Sequence, residues 1–135
     1  MTKIFLDSNI WLRYFLKDNN QFESVEKLLN SIEEGKYLPY TSSIVLMEIA
    51  FVLSRLYKKL NKEIITCLEA ILETRNITIL EETDSKIAFS YYKELGIKFS
   101  DCLIASQIPK DMIFITYDSD FPKIKSLNVK NPSEF

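Results

Sequence analysis

Four short apolar runs recur along this chain: KIFL at residues 3–6, YLPY at 37–40, ITIL at 77–80 and MIFIT at 112–116. Runs of that length, rich in β-branched and aromatic residues, read as strands covered on both faces. The text between them carries apolar residues at helical spacing. Strands that alternate with helices need crossover connections, and these build an α/β fold around a central, mainly parallel sheet.

The helical stretches can be placed one by one. Ser8 or Asn9 is a candidate cap for a helix carrying Ile10, Trp11, Tyr14 and Phe15. Residues 21–34 place Phe22, Val25, Leu28, Leu29 and Ile32 on one stripe, and Gly35 stops it. Thr41, Ser42 and Ser43 offer caps for a long helix from residue 44 to about 60. Another runs from Asn61 to about Thr74. Thr83 caps the next, which Gly96 ends, and Ser100 caps a helix over residues 101–108. The YDSDF stretch reads as a turn or a short helical start, and Val129 as part of a last edge strand. With no repeat, low-complexity tract or linker, residues 1–135 read as a single domain.

Absent residue types exclude more than the present ones suggest. The chain has no His, which removes Ser–His–Asp and Cys–His catalysis, His-ligated zinc and imidazole acid–base chemistry. Two glycines, Gly35 and Gly96, are too few for a P-loop or a dinucleotide-binding turn. Cys67 and Cys102 stand far apart in helical text and read as reduced thiols. No apolar stretch reaches the roughly 18 residues of a membrane span. The N-terminus runs straight into IFL with neither a basic segment nor a cleavage site, so a cytoplasmic protein is expected. A net charge of −2 gives no general field for a polyanion, so local basic groups or bound cations must hold any such partner.

The carboxylates stand out against this background. Asp7 follows the first strand and Asp118 and Asp120 follow MIFIT. Open α/β sheets bind ligands outside the carboxyl ends of their strands. Asp101 opens a helix, and Glu48 interrupts IVLMEIAFVL, a stretch apolar enough to be buried nearly all round. Each acid alone has an ordinary reading. Asp7 and Asp101 suit helix starts, Asp118 and Asp120 suit a turn, and Glu48 suits a pair with Arg55 or with another cation. Together they bring acids from distant segments to one sheet edge. Clustered carboxylates need counter-cations at neutral pH, and an oxygen-only set suits Mg²⁺ or Mn²⁺. Such ions activate water and stabilise the oxygens of an in-line displacement at phosphorus.

Four segments resemble the motifs of the PIN domain family, and within it the small VapC-like toxin ribonucleases. FLDSNIWLRYFL is similar to the opening motif and places an acid at Asp7; SSIVLMEIAFVL is similar to the second and places one at Glu48. GIKFSDCLIASQ is similar to the third, at Asp101, and IFITYDSDF to the closing segment. The fourth acid is Asp118 or Asp120, with Asp118 favoured because it lies nearer the strand end. The connection after Ile108, PKDM, is shorter than in many relatives.

The resemblance implies a three-layer α/β/α sandwich and an Mg²⁺- or Mn²⁺-dependent endoribonuclease acting on RNA. It implies a homodimer, and a small antitoxin protein that inserts a segment into the active-site groove. Asp7 and Asp101 would be the main metal ligands, with Glu48 and Asp118 completing the site. Ser8, Asn9 and Thr116 would orient those ligands. Arg13 and Arg55, each within about two helical turns of an acid, are candidates for contacts with phosphate or antitoxin carboxylates. For Lys58, Lys59 and Lys62 a solvated helix face is the better reading, and for Trp11 and Tyr14 packing rather than base stacking. The alternative function is a catalytically silent module of the same fold that binds RNA or a partner protein. A phosphoacceptor signalling domain is disfavoured, because Tyr117 and Asp118 follow MIFIT where it would need a lysine.

Overall fold

KIFL forms β1 (Lys3–Leu6), the middle strand of a five-stranded sheet in the computed structural model, which describes residues 1–17 and 19–135. The elements that follow are α1 (Ser8–Leu16), α2 (Phe22–Glu33), β2 (Leu38–Ser42), α3 (Ser43–Arg55), α4 (Asn61–Leu72), β3 (Thr78–Leu80), α5 (Ser85–Leu95), α6 (Phe99–Ser106), β4 (Met112–Ile115) and β5 (Asn128–Lys130). The sheet order is β3-β2-β1-β4-β5 and every pairing is parallel. Helices cover both faces, giving the expected α/β/α layering.

The strand order fixes where a ligand can bind. From β1 the chain moves outward to β2 and β3, then returns to lay β4 on the other side of β1. The connection reverses direction there, which leaves a crevice between the carboxyl ends of β1 and β4. Ile4, Phe5, Leu6, Phe114 and Ile115 are fully buried at this centre. The Phe5 and Phe114 rings meet edge-on at 5.4 Å, and Phe121 packs on Phe114 at 4.4 Å. Phe121 opens a short 3₁₀ turn, so the YDSDF stretch is folded back over the end of β4 by an aromatic anchor.

Several boundaries differ from expectation. The third helix ends at Arg55 rather than near residue 60. Lys58 takes a left-handed φ of 53°, and the Tyr57 and Lys59 amides donate back to the Val52 and Leu53 carbonyls. Leu56, Tyr57 and Leu60 are exposed, so the apolar pattern there has no core to hold a further helical turn. Asp84, not Thr83, caps α5, accepting from the Ile87 amide at 3.1 Å. Gly96 ends α5 as expected, in the left-handed conformation at φ 67°. The last long helix starts at Phe99, so Ser100 lies inside its first turn rather than capping it.

Cys67 and Cys102 are both free. Among the described residues no helix is long and apolar enough to cross a membrane.

Candidate active site

Asp7 is the residue at which β1 becomes α1. Its backbone is extended, its carboxylate accepts from the Ser8 amide at 2.8 Å, and it thereby caps the helix in place of Ser8 or Asn9. Its own amide donates to the Ile115 carbonyl at 3.1 Å, which continues the β1–β4 ladder one step beyond the strand. A cap this deep is unusual, because Asp7 is only 3% exposed.

The other side of the crevice supplies its partners. The buried Thr116 hydroxyl donates to Asp7 Oδ2 at 2.7 Å. Asn9 Nδ2 donates to Asp7 Oδ2 at 3.2 Å and to Thr116 Oγ1 at 2.9 Å, while Asn9 Oδ1 accepts from the Tyr117 amide at 3.1 Å. Thr116 Oγ1 also accepts from the Asp118 amide at 3.0 Å. The loop after β4 is thus laced to the start of α1, and the lacing converges on one carboxylate.

Glu48 and Asp101 approach from the covering helices. Asp101 lies in the first turn of α6 and is buried. Glu48 sits midway along α3; its Oε1 is buried with no hydrogen-bond partner, and its Oε2 lies 3.8 Å from Lys98 Nζ. Of the ordinary readings of Glu48, a pair with Arg55 or with another cation, the second is what forms. Arg55 is exposed at the end of α3, and Lys98, immediately before α6, takes that place.

The electrostatics show that these acids share one region. Burial pushes the Asp7 carboxyl up to about 6; the Thr116 and Ser8 hydrogen bonds oppose this, and the Asp118 charge adds to it. Burial, then the charges of Asp7 and Asp101, push Glu48 up to about 7. Burial, then Asp7 and Asp118, push Asp101 up to about 7. The cation that pulls all three back down is Lys98. Asp118 is among the leading charges on each of the three, whereas Asp120 is among them only for Asp101 and is paired with Lys123 at 3.0 Å.

Arg13, the other expected basic contact, is committed elsewhere: its Nε donates to Gln21 Oε1 at 2.9 Å. Trp11 is buried, in line with a packing role. Sequence reasoning missed Lys98. Its signal was present, a basic residue three positions before an acid at a helix start, but it resembles any other surface lysine.

Among the described residues no three acid or thiol side chains form a ready-made metal cage. The donor set nevertheless suits a hard cation. It contains only oxygen, one Glu48 oxygen is buried and unsatisfied, and three carboxyls are raised by burial and by neighbouring acids. Mg²⁺ commonly takes one or two carboxylates and completes its shell with water and phosphate oxygens.

Residues 4–127 match the PIN domain family. The chain belongs to that family. Solved structures of VapBC and FitAB toxin–antitoxin proteins share its fold. VapBC2 from Rickettsia felis, solved with a DNA fragment from its promoter, is similar at 25% identity and a TM-score of 0.70, over 96% of this chain and 98% of that one. FitAcB from Neisseria gonorrhoeae shares 24% identity at a TM-score of 0.65, over 98% and 99%. VapC20 from Mycobacterium tuberculosis, a sarcin–ricin loop cleaving toxin, has the same fold at 15% identity and a TM-score of 0.70, over 95% and 99%. No curated protein sequence matches the chain.

Proposed function

We propose that this PIN domain is a divalent-metal-dependent endoribonuclease, the toxin of a toxin–antitoxin pair acting in the cytoplasm. The observation that carries the reading is the burial of Asp7 and Asp101 together with the unpartnered Glu48 Oε1, all three carboxyls being raised first by that burial and then by neighbouring acids. Acids from three separate elements crowd one another without neutralising partners enough to relieve them. Perturbed carboxyls gathered in a cleft mark a candidate functional site.

Asp7 and Asp101 would hold Mg²⁺ or Mn²⁺, with Glu48 and Asp118 completing the set. The ion, when bound, supplies the charge that keeps the acids ionised and lowers the pKa of an attacking water. The protein's part is positioning. Thr116 and the Ser8 amide fix the direction of the Asp7 carboxylate, and Asn9 fixes Thr116. Asp118, tied to Thr116 through its amide, would orient a water or a second ion. Its Oδ1 accepts from the Asp120 amide at 2.8 Å, which favours Asp118 over Asp120 as the fourth acid.

Two surfaces support the proposed partners. Trp11, Tyr14, Phe15, Leu29 and Ala70 line a cavity of about 140 Å³ between α1, α2 and α4, which supports docking of an antitoxin's apolar side chain. Phe89, Tyr92 and Phe99 are exposed on α5 and α6, with Tyr92 and Phe99 in edge contact at 5.5 Å, which supports a homodimer through that face.

The deciding experiment is RNA cleavage by the wild type and Asp7→Asn with Mg²⁺, Mn²⁺ and EDTA. Cleavage that needs the ion and disappears in the variant supports the reading. Equal metal-dependent cleavage by both would end the assignment of the site, and RNA held but never cut would leave a binding module.

A further inference from the structure

We propose that Lys98 anchors a non-bridging phosphate oxygen of the RNA strand at the mouth of the acid cluster. The inference rests on the ribonuclease reading and adds to it a residue that is not one of the acids.

A phosphodiester must approach a site whose side chains are mostly negative. Carboxylates at Asp7, Glu48, Asp101 and Asp118 repel it, and the chain's net charge offers no compensating field. Lys98 is the cation that the three raised acids feel. Arg13 is held by Gln21, and Lys123 by Asp120, so neither offers the same service as it stands.

The placement of Lys98 suits a ligand better than it suits a structural ion pair. Its side chain is 68% exposed, and its Nζ reaches Glu48 Oε2 only at 3.8 Å, beyond hydrogen-bond length. Pairs that long and that solvated contribute little to stability, so the ammonium can leave Glu48 at small cost. A phosphate oxygen offers it a short, charge-assisted hydrogen bond instead. Space for the strand exists beside it. Met47, Glu48, Phe51, Val52 and Lys98 line an open cleft of about 240 Å³, and Glu48 is a wall of that cleft as well as a member of the acid cluster. A strand running through the cleft therefore meets Lys98 as it reaches the acids.

The test separates binding from chemistry. Single-stranded RNA binding is measured by fluorescence anisotropy at several NaCl concentrations, in the presence of Mg²⁺, in an Asp101→Asn background that does not cut. Lys98→Met, Lys98→Arg and Lys27→Met, the last on a helix carrying none of the acids, are compared. Lys98→Met is expected to weaken binding about tenfold and to reduce the slope of log Kd against log salt by about one. Lys98→Arg should keep the slope, and Lys27→Met should change neither. Calorimetric Mn²⁺ binding at pH 8, above the raised carboxyls, should not weaken in Lys98→Met in the otherwise wild-type chain, because an ammonium is no metal ligand and its removal takes a positive charge away from the ion.

Unchanged RNA affinity and salt slope in Lys98→Met, with altered Mn²⁺ affinity or melting temperature, would overturn the inference and leave Lys98 as a prop for Glu48. The two readings fail separately. A wild type that does not cleave, combined with RNA binding that depends on Lys98, removes the nuclease and keeps the phosphate contact. A wild type that cleaves, with Lys98→Met binding as well as its parent, does the reverse.

Discussion

The Thr116 hydroxyl donates to Asp7 Oδ2 across 2.7 Å, joining residues 109 positions apart at the crevice between the two central strands. Thr116 Oγ1 in turn accepts from Asn9 Nδ2 and from the Asp118 amide. One buried hydroxyl therefore sets the direction of one acid and the position of the loop that carries another.

Thr116→Val keeps the shape and removes that hydroxyl. The Asp118 amide and the Asn9 amide group lose an acceptor, and leaving them unsatisfied costs about 1–3 kcal/mol. The Thr116 hydrogen bond lowers the Asp7 pKa, so its loss raises it. The variant is expected to melt lower and to show the acid limb of its cleavage profile displaced to higher pH. A pH–rate profile for both proteins checks this; a variant with the wild-type acid limb would show that the hydroxyl does not govern Asp7.

The raised carboxyls also set how stability depends on pH. An acid whose folded pKa lies above its unfolded value binds more protons when folded, so its stabilising effect is complete below the unfolded pKa and is lost as pH rises through the folded one. For Asp7 the window runs from about 4 to about 6 and, for Glu48 and Asp101, from about 4.5 or below to about 7. The metal-free protein should therefore be more stable near pH 5 than near pH 8, by several degrees in Tm at least. Adding Mn²⁺ should raise Tm more at pH 8 than at pH 5, since ligands must be deprotonated to bind. Thermal unfolding in EDTA and in Mn²⁺ at the two pH values measures both effects.

Much of this site was legible in the sequence because each acid interrupts a pattern. Asp7 ends an apolar strand, and Glu48 breaks an otherwise apolar helix. Central parallel strands are covered on both faces, so KIFL and MIFIT show as unbroken apolar runs. What stayed hidden depended on which faces find a neighbour. Leu56, Tyr57 and Leu60 continue a helical pattern but point into solvent, so α3 stops at Arg55. Ser100 looks like a cap one residue before Asp101 yet lies within the helix, because the chain turns helical at Phe99. The Glu48 partner proved to be Lys98 rather than Arg55, since the choice depends on how α3 and α6 pack, which no local pattern encodes.

Asp118 and Asp120 are two residues apart and chemically identical, yet they should not be equivalent. Asp118 acts on Asp7, Glu48 and Asp101, while Asp120 is engaged with Lys123. Asp118→Asn is expected to reduce RNA cleavage by about a hundredfold or more, in the range of groups that position or deprotonate a reactant. Asp120→Asn should cost less than tenfold by the same measure. Single-turnover cleavage rates for the two variants decide it, and equal losses would mean that the turn carries both acids into the site.

Exposed aromatics on α5 and α6 give the last expectation. Tyr92 is 46% exposed and Phe99 40%, and their rings are already in contact, so they present one continuous apolar surface. A homodimer through this face would bury it without disturbing the crevice between β1 and β4. Tyr92→Glu places a charge in such an interface and leaves the core untouched, because Tyr92 does not line it. Light scattering should give a dimer mass for the wild type and a monomer mass for the variant, with circular dichroism unchanged. A monomeric wild type, or a variant that remains dimeric, would assign this surface to something other than self-association.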